Sequence, residues 1–126
     1  MNLSNQTGTD QTHRLTLSPI SPVELPQNGI GLTHVIVSWP VGGNGMAALS
    51  FVSATGSDLQ ATFPENPLPS NQANCSVSHM TITAGANTSI GDHLCRVRVH
   101  HDLILGDDLT FVVSVKRAVQ IPMPIV

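Results

Sequence analysis

The sequence has very few charged and aromatic side chains. Charged residues make up 10% of its 126 residues, aromatic residues make up 3%, and tyrosine is absent. Long amphipathic helices need many glutamate, lysine, arginine and leucine residues, and this composition does not supply them. Sparse charge combined with abundant threonine and valine is typical of half-buried strands. We therefore predict one all-β domain, because the length suffices for a single packed core.

Basic residues are also scarce. The five lysine and arginine residues are scattered along the chain, and the net charge is −3. A protein that binds nucleic acid needs a clustered cationic face to neutralise phosphates, whereas the largest basic clusters here are pairs. No apolar run approaches the roughly 20 residues that span a bilayer. We predict neither a nucleic-acid partner nor a membrane partner.

The beginning of the sequence does not resemble a secretory leader. Residues 1–8 contain neither a basic segment nor an apolar segment, and a signal peptide needs both. Either the protein is made and used without this export route, or its leader is missing from the sequence. The initial methionine weakly favours the first interpretation.

Two cysteines, Cys75 and Cys95, would allow one disulfide. Strand alternation turns Cys75 outward together with Val77, whereas Cys95 shares the buried phase of Val97 and Val99. Because a disulfide requires close and facing Cβ atoms, these opposite orientations argue against a bridge. We expect two thiols, which fits a reducing cytoplasm.

Alternation and turn residues predict seven or eight short strands. A spacing of roughly 8 to 15 residues between strands is the pattern of a β-sandwich. Residues 106–108, with the sequence Gly-Asp-Asp, are predicted as the last hairpin turn. The predicted strands cover residues 14–17, 23–25, 33–39, 48–52, 60–63, 76–83, 94–99 and 109–115.

The order of turns and strands in residues 29–117 resembles that of bacterial immunoglobulin-like modules. The resemblance depends on the turn Phe-Pro-Glu-Asn-Pro at 63–67, the segment Met-Thr-Ile-Thr-Ala-Gly-Ala-Asn-Thr at 80–88, and Gly91 followed by a valine-alternating strand. It implies an immunoglobulin-like sandwich of seven to eight antiparallel strands. Such modules are appended to secreted hydrolases, surface proteins and phage virion proteins. The chain departs from the pattern at His93, where an aromatic residue is usual, and the motifs carry no site.

The six histidines do not form a metal-binding pattern in the sequence. A ligand pair on a strand would be spaced His-x-His, but His100 and His101 are adjacent and point to opposite faces. His93 and Cys95 share a face, and His79 or Cys75 could complete a zinc site with them. Surface or core histidines are the commoner outcome. We predict no bound metal.

Motifs for catalysis and cofactor binding are missing as well. Serine, histidine and acidic residues occur without a Gly-x-Ser-x-Gly elbow. The glycines form no phosphate-binding loop, since no Gly-Lys-Thr follows them. We therefore predict no enzymatic activity, no catalytic residues and no cofactor.

Glycan binding would require an exposed aromatic platform. Phe51, Phe63 and Phe111 lie at alternating strand positions that are typical of a core. Trp39, beside Pro40 at a strand end, is the single candidate platform, although core packing is the commoner role for such a tryptophan. A glycan ligand is therefore an alternative without further support in the sequence.

The predicted organisation is a polar arm at 1–12, an immunoglobulin-like sandwich at 13–117 and a proline-rich apolar tail at 118–126. We expect the arm and the tail to contact neighbouring subunits, in a homo-oligomer or on a capsid protein. The candidate interface residues are Leu3, Ile121, Pro122, Met123, Pro124, Ile125 and Val126.

These features predict a non-enzymatic structural protein. The first hypothesis is a decoration, cement or capsid-associated subunit of a virus particle, such as a phage, which assembles in the host cytoplasm. The alternative is a secreted or cell-surface module for adhesion or carbohydrate binding.

Overall fold

The computed structural model describes residues 14–53, 58–70 and 74–117, and this part of the chain contains ten strands and no helix. The all-β prediction is confirmed. The strands are β1 (Arg14–Leu17), β2 (Val23–Pro26), β3 (Ile30–Ser38), β4 (Met46–Val52), β5 (Leu59–Thr62), β6 (Leu68–Pro69), β7 (Cys75–Ala84), β8 (Gly91–His100), β9 (Leu105–Gly106) and β10 (Asp108–Lys116).

The strands form two five-stranded mixed sheets. The first sheet has the order β5-β7-β3-β1-β9 and the second has the order β2-β10-β8-β4-β6. Most neighbours are antiparallel, but β1 pairs in parallel with β9, and β2 pairs in parallel with β10. The predicted seven to eight antiparallel strands therefore differ from the described structure. Two of the additional strands, β6 and β9, are two residues long and form through tertiary pairing, which local alternation does not reveal.

The core lies between the two sheets. Met80 and Ile82 of β7 belong to the same core cluster as Cys95 and Val97 of β8, and all four side chains are buried. The predicted phases are confirmed, since Val77 is exposed on the outer side of β7. The remaining apolar residues of the core are Leu15, Leu17, Val23, Leu25, Val35, Val37, Trp39, Ala47, Leu49, Leu59, Leu68, Ala84, Val99, Phe111, Val113 and Val115.

The chain changes sheets between β1 and β2. It pairs with β3 at Leu17 in the first sheet and then joins β10 from Val23 onward in the second sheet. Gly31 allows β2 to approach the inner side of β3, because a Cβ atom there would lie 2.9 Å from Cγ1 of Val23. The crossover leaves part of β3 without a neighbour from β1.

The prediction of a hairpin turn at residues 106–108 is wrong. Gly106 belongs to β9 and Asp108 begins β10, so the reversal after β8 is made by residues 101–104. The Asp107 carboxylate accepts a hydrogen bond from the Leu17 amide at 3.2 Å and lies 3.3 Å from the Arg14 guanidinium. Asp107 therefore connects the strands and is not a solvated turn residue.

The predicted arms at 1–12 and 118–126 lie outside the described residues, and so do the candidate interface residues Leu3 and 121–126. Within the part that the structure describes, no helix is long and apolar enough to cross a membrane.

Candidate functional site

Two loops meet at one end of the sandwich and form a concavity of about 410 Å³, which is lined by apolar side chains and by polar backbone groups. One loop connects β3 to β4 and the other connects β8 to β9. The side chains of Val41 and Leu103 are 88% and 91% exposed, which is unusual for large aliphatic residues. We call this region the end surface, and its lining residues are Pro40, Val41, Gly42, Gly43, Leu103 and Ile104.

The first loop of the end surface is a tight turn. Pro40 lies two residues after the end of β3, and its carbonyl accepts a hydrogen bond from the Gly43 amide at 2.9 Å. Gly42 has a φ of 80°, a conformation that favours glycine. Val41 therefore extends into solvent from a tight turn.

His101 joins the two loops. Its Nδ1 accepts a hydrogen bond from the Leu103 amide at 3.0 Å, and its Nε2 lies 2.8 Å from the Asn44 carbonyl oxygen. A ring nitrogen that accepts a hydrogen bond from an amide carries no proton. Nε2 must therefore carry the proton and donate a hydrogen bond to the Asn44 carbonyl oxygen. The neutral Nε2–H tautomer therefore satisfies both contacts. A Cβ atom at position 45 would lie 3.0 Å from Nε2, which explains the glycine beside the ring.

Trp39 supports the end surface from below. Its ring packs edge-on against His101, with centroids 5.7 Å apart and planes at 85°. The indole N–H donates to Oγ of Ser76 at 2.9 Å, and that hydroxyl donates to the Pro69 carbonyl at 2.7 Å. Trp39 is 5% exposed, so its faces do not offer a stacking platform for a sugar. Trp39 belongs to the core cluster, which is the commoner role expected from the sequence, and a glycan ligand stays a prediction.

The outer face of the first sheet carries two histidines opposite each other, His34 on β3 and His79 on β7. The His79 amide donates to Oε1 of Glu65, and the His79 Nδ1 lies 2.9 Å from the same oxygen. These hydrogen bonds, led by the one from the backbone amide, lower the pKa of Glu65 below its ordinary value. The hydrogen bonds between Glu65 and His79 attach the segment that follows β5 to strand β7.

The acidic residues near β9 and β10 are paired with arginines. Oδ2 of Asp108 lies 3.3 Å from Nη1 of Arg96 and 3.0 Å from Nε of Arg98. All three side chains are partly exposed, so these ion pairs contribute little to stability.

The possible zinc arrangement around Cys95 is not assembled in the described part of the chain. His93 and Cys95 lie on β8 in the second sheet, whereas Cys75 and His79 lie on β7 in the first sheet and face its outer side. Nε2 of His93 lies 2.8 Å from the Ser89 carbonyl oxygen. Among residues 14–53, 58–70 and 74–117, no group of three histidine, cysteine or acidic side chains is positioned to hold a metal.

A second concavity of about 220 Å³ lies at the crossover between β1 and β2. The crossover segment forms one wall, and Thr33, His34 and Ile36 of β3 form the other. The segment contributes Ser18, Pro19, Ile20 and Ser21. This concavity lies beside the part of β3 that β1 does not cover.

The chain matches no family model and no curated protein. Similar solved structures include domains 4 and 5 of the S-layer protein SbsC (TM-score 0.54, 9% identity, 80% of this chain and 50% of that chain). They also include the SrpA adhesin from Streptococcus sanguinis (TM-score 0.59, 13% identity, 82% and 57%) and the secreted serine protease VesC from Vibrio cholerae (TM-score 0.60, 9% identity, 90% and 25%). The chain thus spans a quarter to somewhat over half of those chains, and the likeness establishes an all-β fold.

Proposed function

We propose that this protein is a non-enzymatic interaction module that binds a partner protein through the end surface. The observation that carries the proposal is the pair of aliphatic side chains, Val41 and Leu103, exposed on either side of a concavity whose lining side chains are all apolar. Aliphatic side chains that are exposed in the free protein gain free energy when a partner removes them from water. The His101 hydrogen bonds hold the two loops together and reduce the entropy lost on binding.

The chemistry of the lining favours an aliphatic group of a protein over a sugar. No lining residue is charged, and none contributes a hydroxyl, amide or carboxylate side chain. A sugar site needs such polar groups together with an exposed aromatic face, whereas an aliphatic anchor gains by leaving water. The carbohydrate alternative therefore has less support than a protein partner.

An immunoglobulin-like topology is part of the proposal. If the strands β1, β3, β4, β5, β7, β8 and β10 are lettered A to G, the first sheet contains A-B-E-D and the second contains G-F-C. With β2, β6 and β9 left out, that order resembles the two sheets of an immunoglobulin constant-type sandwich, which supports this part of the proposal. The end surface then corresponds to the B–C and F–G loops, which lie at one end of such sandwiches.

Two settings fit such a module. The secreted or cell-surface setting is supported by the similar structures, which belong to an S-layer protein, an adhesin and a secreted protease. The virus-particle setting, as a decoration or cement subunit, depends on the sequence and stays a prediction. Fold similarity alone does not decide function, so the two settings need a binding experiment.

The experiment measures equilibrium binding of the labelled protein to bacterial cell envelopes and, separately, to virus particles. Leu103→Asp introduces a charge into the end surface and should weaken binding at least about tenfold, because a carboxylate is costly to desolvate. Leu94→Asp is the matched control, since Leu94 is 64% exposed on the outer face of the second sheet. The control should bind as the unmodified protein does.

Treatment of the target distinguishes a protein partner from a glycan. Protease digestion of the envelopes or particles should remove binding, and periodate oxidation of sugars should leave it intact. The proposal is wrong if periodate alone abolishes binding, or if Leu103→Asp and Leu94→Asp bind equally.

A further inference from the structure

The sequence contains two Asn-Gly pairs, one at Asn28 and Gly29 and the other at Asn44 and Gly45. In such a pair the backbone nitrogen of glycine can attack the side-chain carboxamide of asparagine, because no glycine side chain hinders the approach. The asparagine then loses ammonia and becomes aspartate or isoaspartate. The reaction needs an accessible glycine nitrogen, so the surroundings of each pair decide where it proceeds.

Hydrogen bonds hold the first pair on both sides of Gly29. The Gly29 amide donates to the Pro26 carbonyl at 3.1 Å, and the Gly29 carbonyl accepts from the Ala84 amide at 2.9 Å. Gly29 is also half-buried, and a Cβ atom there would overlap the ring of Pro26. Its nitrogen becomes accessible only when this turn opens locally, which breaks both hydrogen bonds. The structure therefore protects Asn28.

The second pair leaves its glycine nitrogen open to solvent. Asn44 and Gly45 are both exposed in the loop between β3 and β4. The Gly45 carbonyl accepts from the Ser70 amide at 3.0 Å, but no acceptor among the residues that the structure describes takes the Gly45 N–H. The Asn44 carboxamide likewise has no hydrogen-bond partner within that part of the chain. Both reacting groups are therefore available without local unfolding.

His101 acts on the same peptide group. Its Nε2–H donates to the Asn44 carbonyl oxygen at 2.8 Å. The Gly45 nitrogen must lose its proton before it attacks, and peptide resonance places much of the resulting negative charge on that oxygen. A donor aimed at developing negative charge stabilises the charge more strongly than it stabilises the neutral group. The His101 contact therefore favours the reactive anion of Gly45.

We propose that Asn44 is a deamidation site whose reaction His101 promotes, and that its isoaspartate product separates the two loops of the end surface. The Gly45 nitrogen gives its proton to water and bonds to Cγ of Asn44. The C–N bond of the carboxamide breaks, and ammonia leaves with a proton from water. A further water then opens the cyclic imide at one of its two carbonyls, so that water is consumed and ammonia is released without any oxidant or reductant.

The isoaspartate product changes the loop, because the backbone then runs through the former side-chain carbonyl and is longer by one carbon. The oxygen that accepts from His101 then belongs to a carboxylate side group, so the loop backbone is no longer held at that oxygen. His101 also accepts from the Leu103 amide, which links this change to the second loop. The inference is tested on the full chain alone and does not depend on the proposed partner protein.

Peptide mapping by mass spectrometry tests the site. The full chain is incubated at mildly alkaline pH, and conversion of Asn28 and Asn44 is followed by the mass increase that replacement of NH2 by OH produces. In the folded chain Asn44 should react at least about tenfold faster than Asn28, because two hydrogen bonds must open at Gly29. In urea the two rates should converge. Equal rates in the folded chain overturn the proposal, and so does the same rate ratio in urea, which would mean that the local sequence sets it.

His101→Ala separates promotion of the reaction from simple restraint of the loop. Loss of the stabilising donor should slow conversion of Asn44 at least about fivefold, the equivalent of one hydrogen bond. Loss of a contact that only restrained the loop would instead make the reaction faster. His100→Ala is the matched control, because His100 is the adjacent, exposed histidine and its ring lies near Asp102. A rate in His101→Ala that equals or exceeds that of the control overturns the proposal.

Amide hydrogen exchange tests the effect of the product. The Leu103 amide donates to Nδ1 of His101, so its exchange reports whether the two loops stay linked. In the isoaspartate form, isolated by ion exchange, the Leu103 amide should exchange at least about fivefold faster. Asn44→Asp is the control, because it adds the same charge without lengthening the backbone, and it should keep the exchange rate of the unmodified protein. Unchanged exchange in the isoaspartate form, or an equal increase in Asn44→Asp, overturns the proposal.

Discussion

Replacement of Ser76 by alanine tests how the end surface is supported. The Ser76 hydroxyl accepts from the Trp39 indole N–H at 2.9 Å and donates to the Pro69 carbonyl at 2.7 Å. Both Trp39 and Ser76 are buried. Ser76→Ala leaves the buried indole N–H of Trp39 unsatisfied, at about 1–3 kcal/mol, whereas Pro69 is exposed and its carbonyl can bond to water instead.

The expected loss is therefore about 1–3 kcal/mol in the free energy of unfolding. For a domain of this size, about 1 kcal/mol lowers Tm by roughly 4 °C, so Tm should fall by at least about 4 °C. Differential scanning calorimetry measures the change. Ser50→Ala on the exposed face of β4 is the control and should change stability by less than about 0.5 kcal/mol.

A double-mutant cycle with Trp39→Phe isolates the hydrogen bond. Trp39→Phe removes the donor, so Ser76→Ala should cost at least about 1 kcal/mol less in that background. The reasoning is refuted if Ser76→Ala and Ser50→Ala have equal Tm values, or if the two substitutions at Trp39 and Ser76 are additive.

Three further predictions concern the strands and turns that frame the sandwich. The pKa of Glu65 is lowered in the folded state, so ionised Glu65 stabilises the fold. This contribution is fully present above the unfolded-state pKa and disappears as pH falls through the folded-state pKa. The Tm difference between the protein and Glu65→Gln should therefore shrink as pH is lowered from 7 to 3. Asn66 exchanges hydrogen bonds of 2.8 and 3.1 Å with the Leu49 backbone, so Asn66→Ala should cost about 1–3 kcal/mol in urea denaturation. Gly106→Ala would force a Cβ against the Val99 carbonyl oxygen, and it should lower Tm more than alanine at Gly43, where the contacts are 3.1 Å or longer.

The sequence predicts the core strands well because burial imposes a period of two. Met80 and Ile82 face inward, Val77 faces outward, and Cys95 is buried, as alternation indicates. The two-residue strands β6 and β9 have no periodic pattern, and their pairing partners are distant in sequence. The parallel pairs of β1 with β9 and of β2 with β10 also join segments that are distant in sequence, so local alternation does not predict them.

The end surface was only partly visible in the sequence. The glycine-rich segment after Pro40 predicts a turn, but exposure of Val41 depends on the direction of that turn. Leu103 belongs to a run of aliphatic residues before Gly106, with acidic residues nearby. This run is the sequence feature that could have indicated an exposed apolar loop. Composition and residue spacing do not indicate the two hydrogen bonds of His101, because Asn44 is 57 residues away in the sequence.

The central claim is that the protein binds a partner protein through the end surface, and photo-cross-linking tests it most directly. A benzophenone side chain is introduced at position 103 in one sample and at position 94 in another, and each is irradiated on the envelopes or particles that bind the protein. Position 103 should form one discrete protein adduct that position 94 does not form. Equal labelling from both positions, or an adduct that contains glycan without protein, would contradict the account.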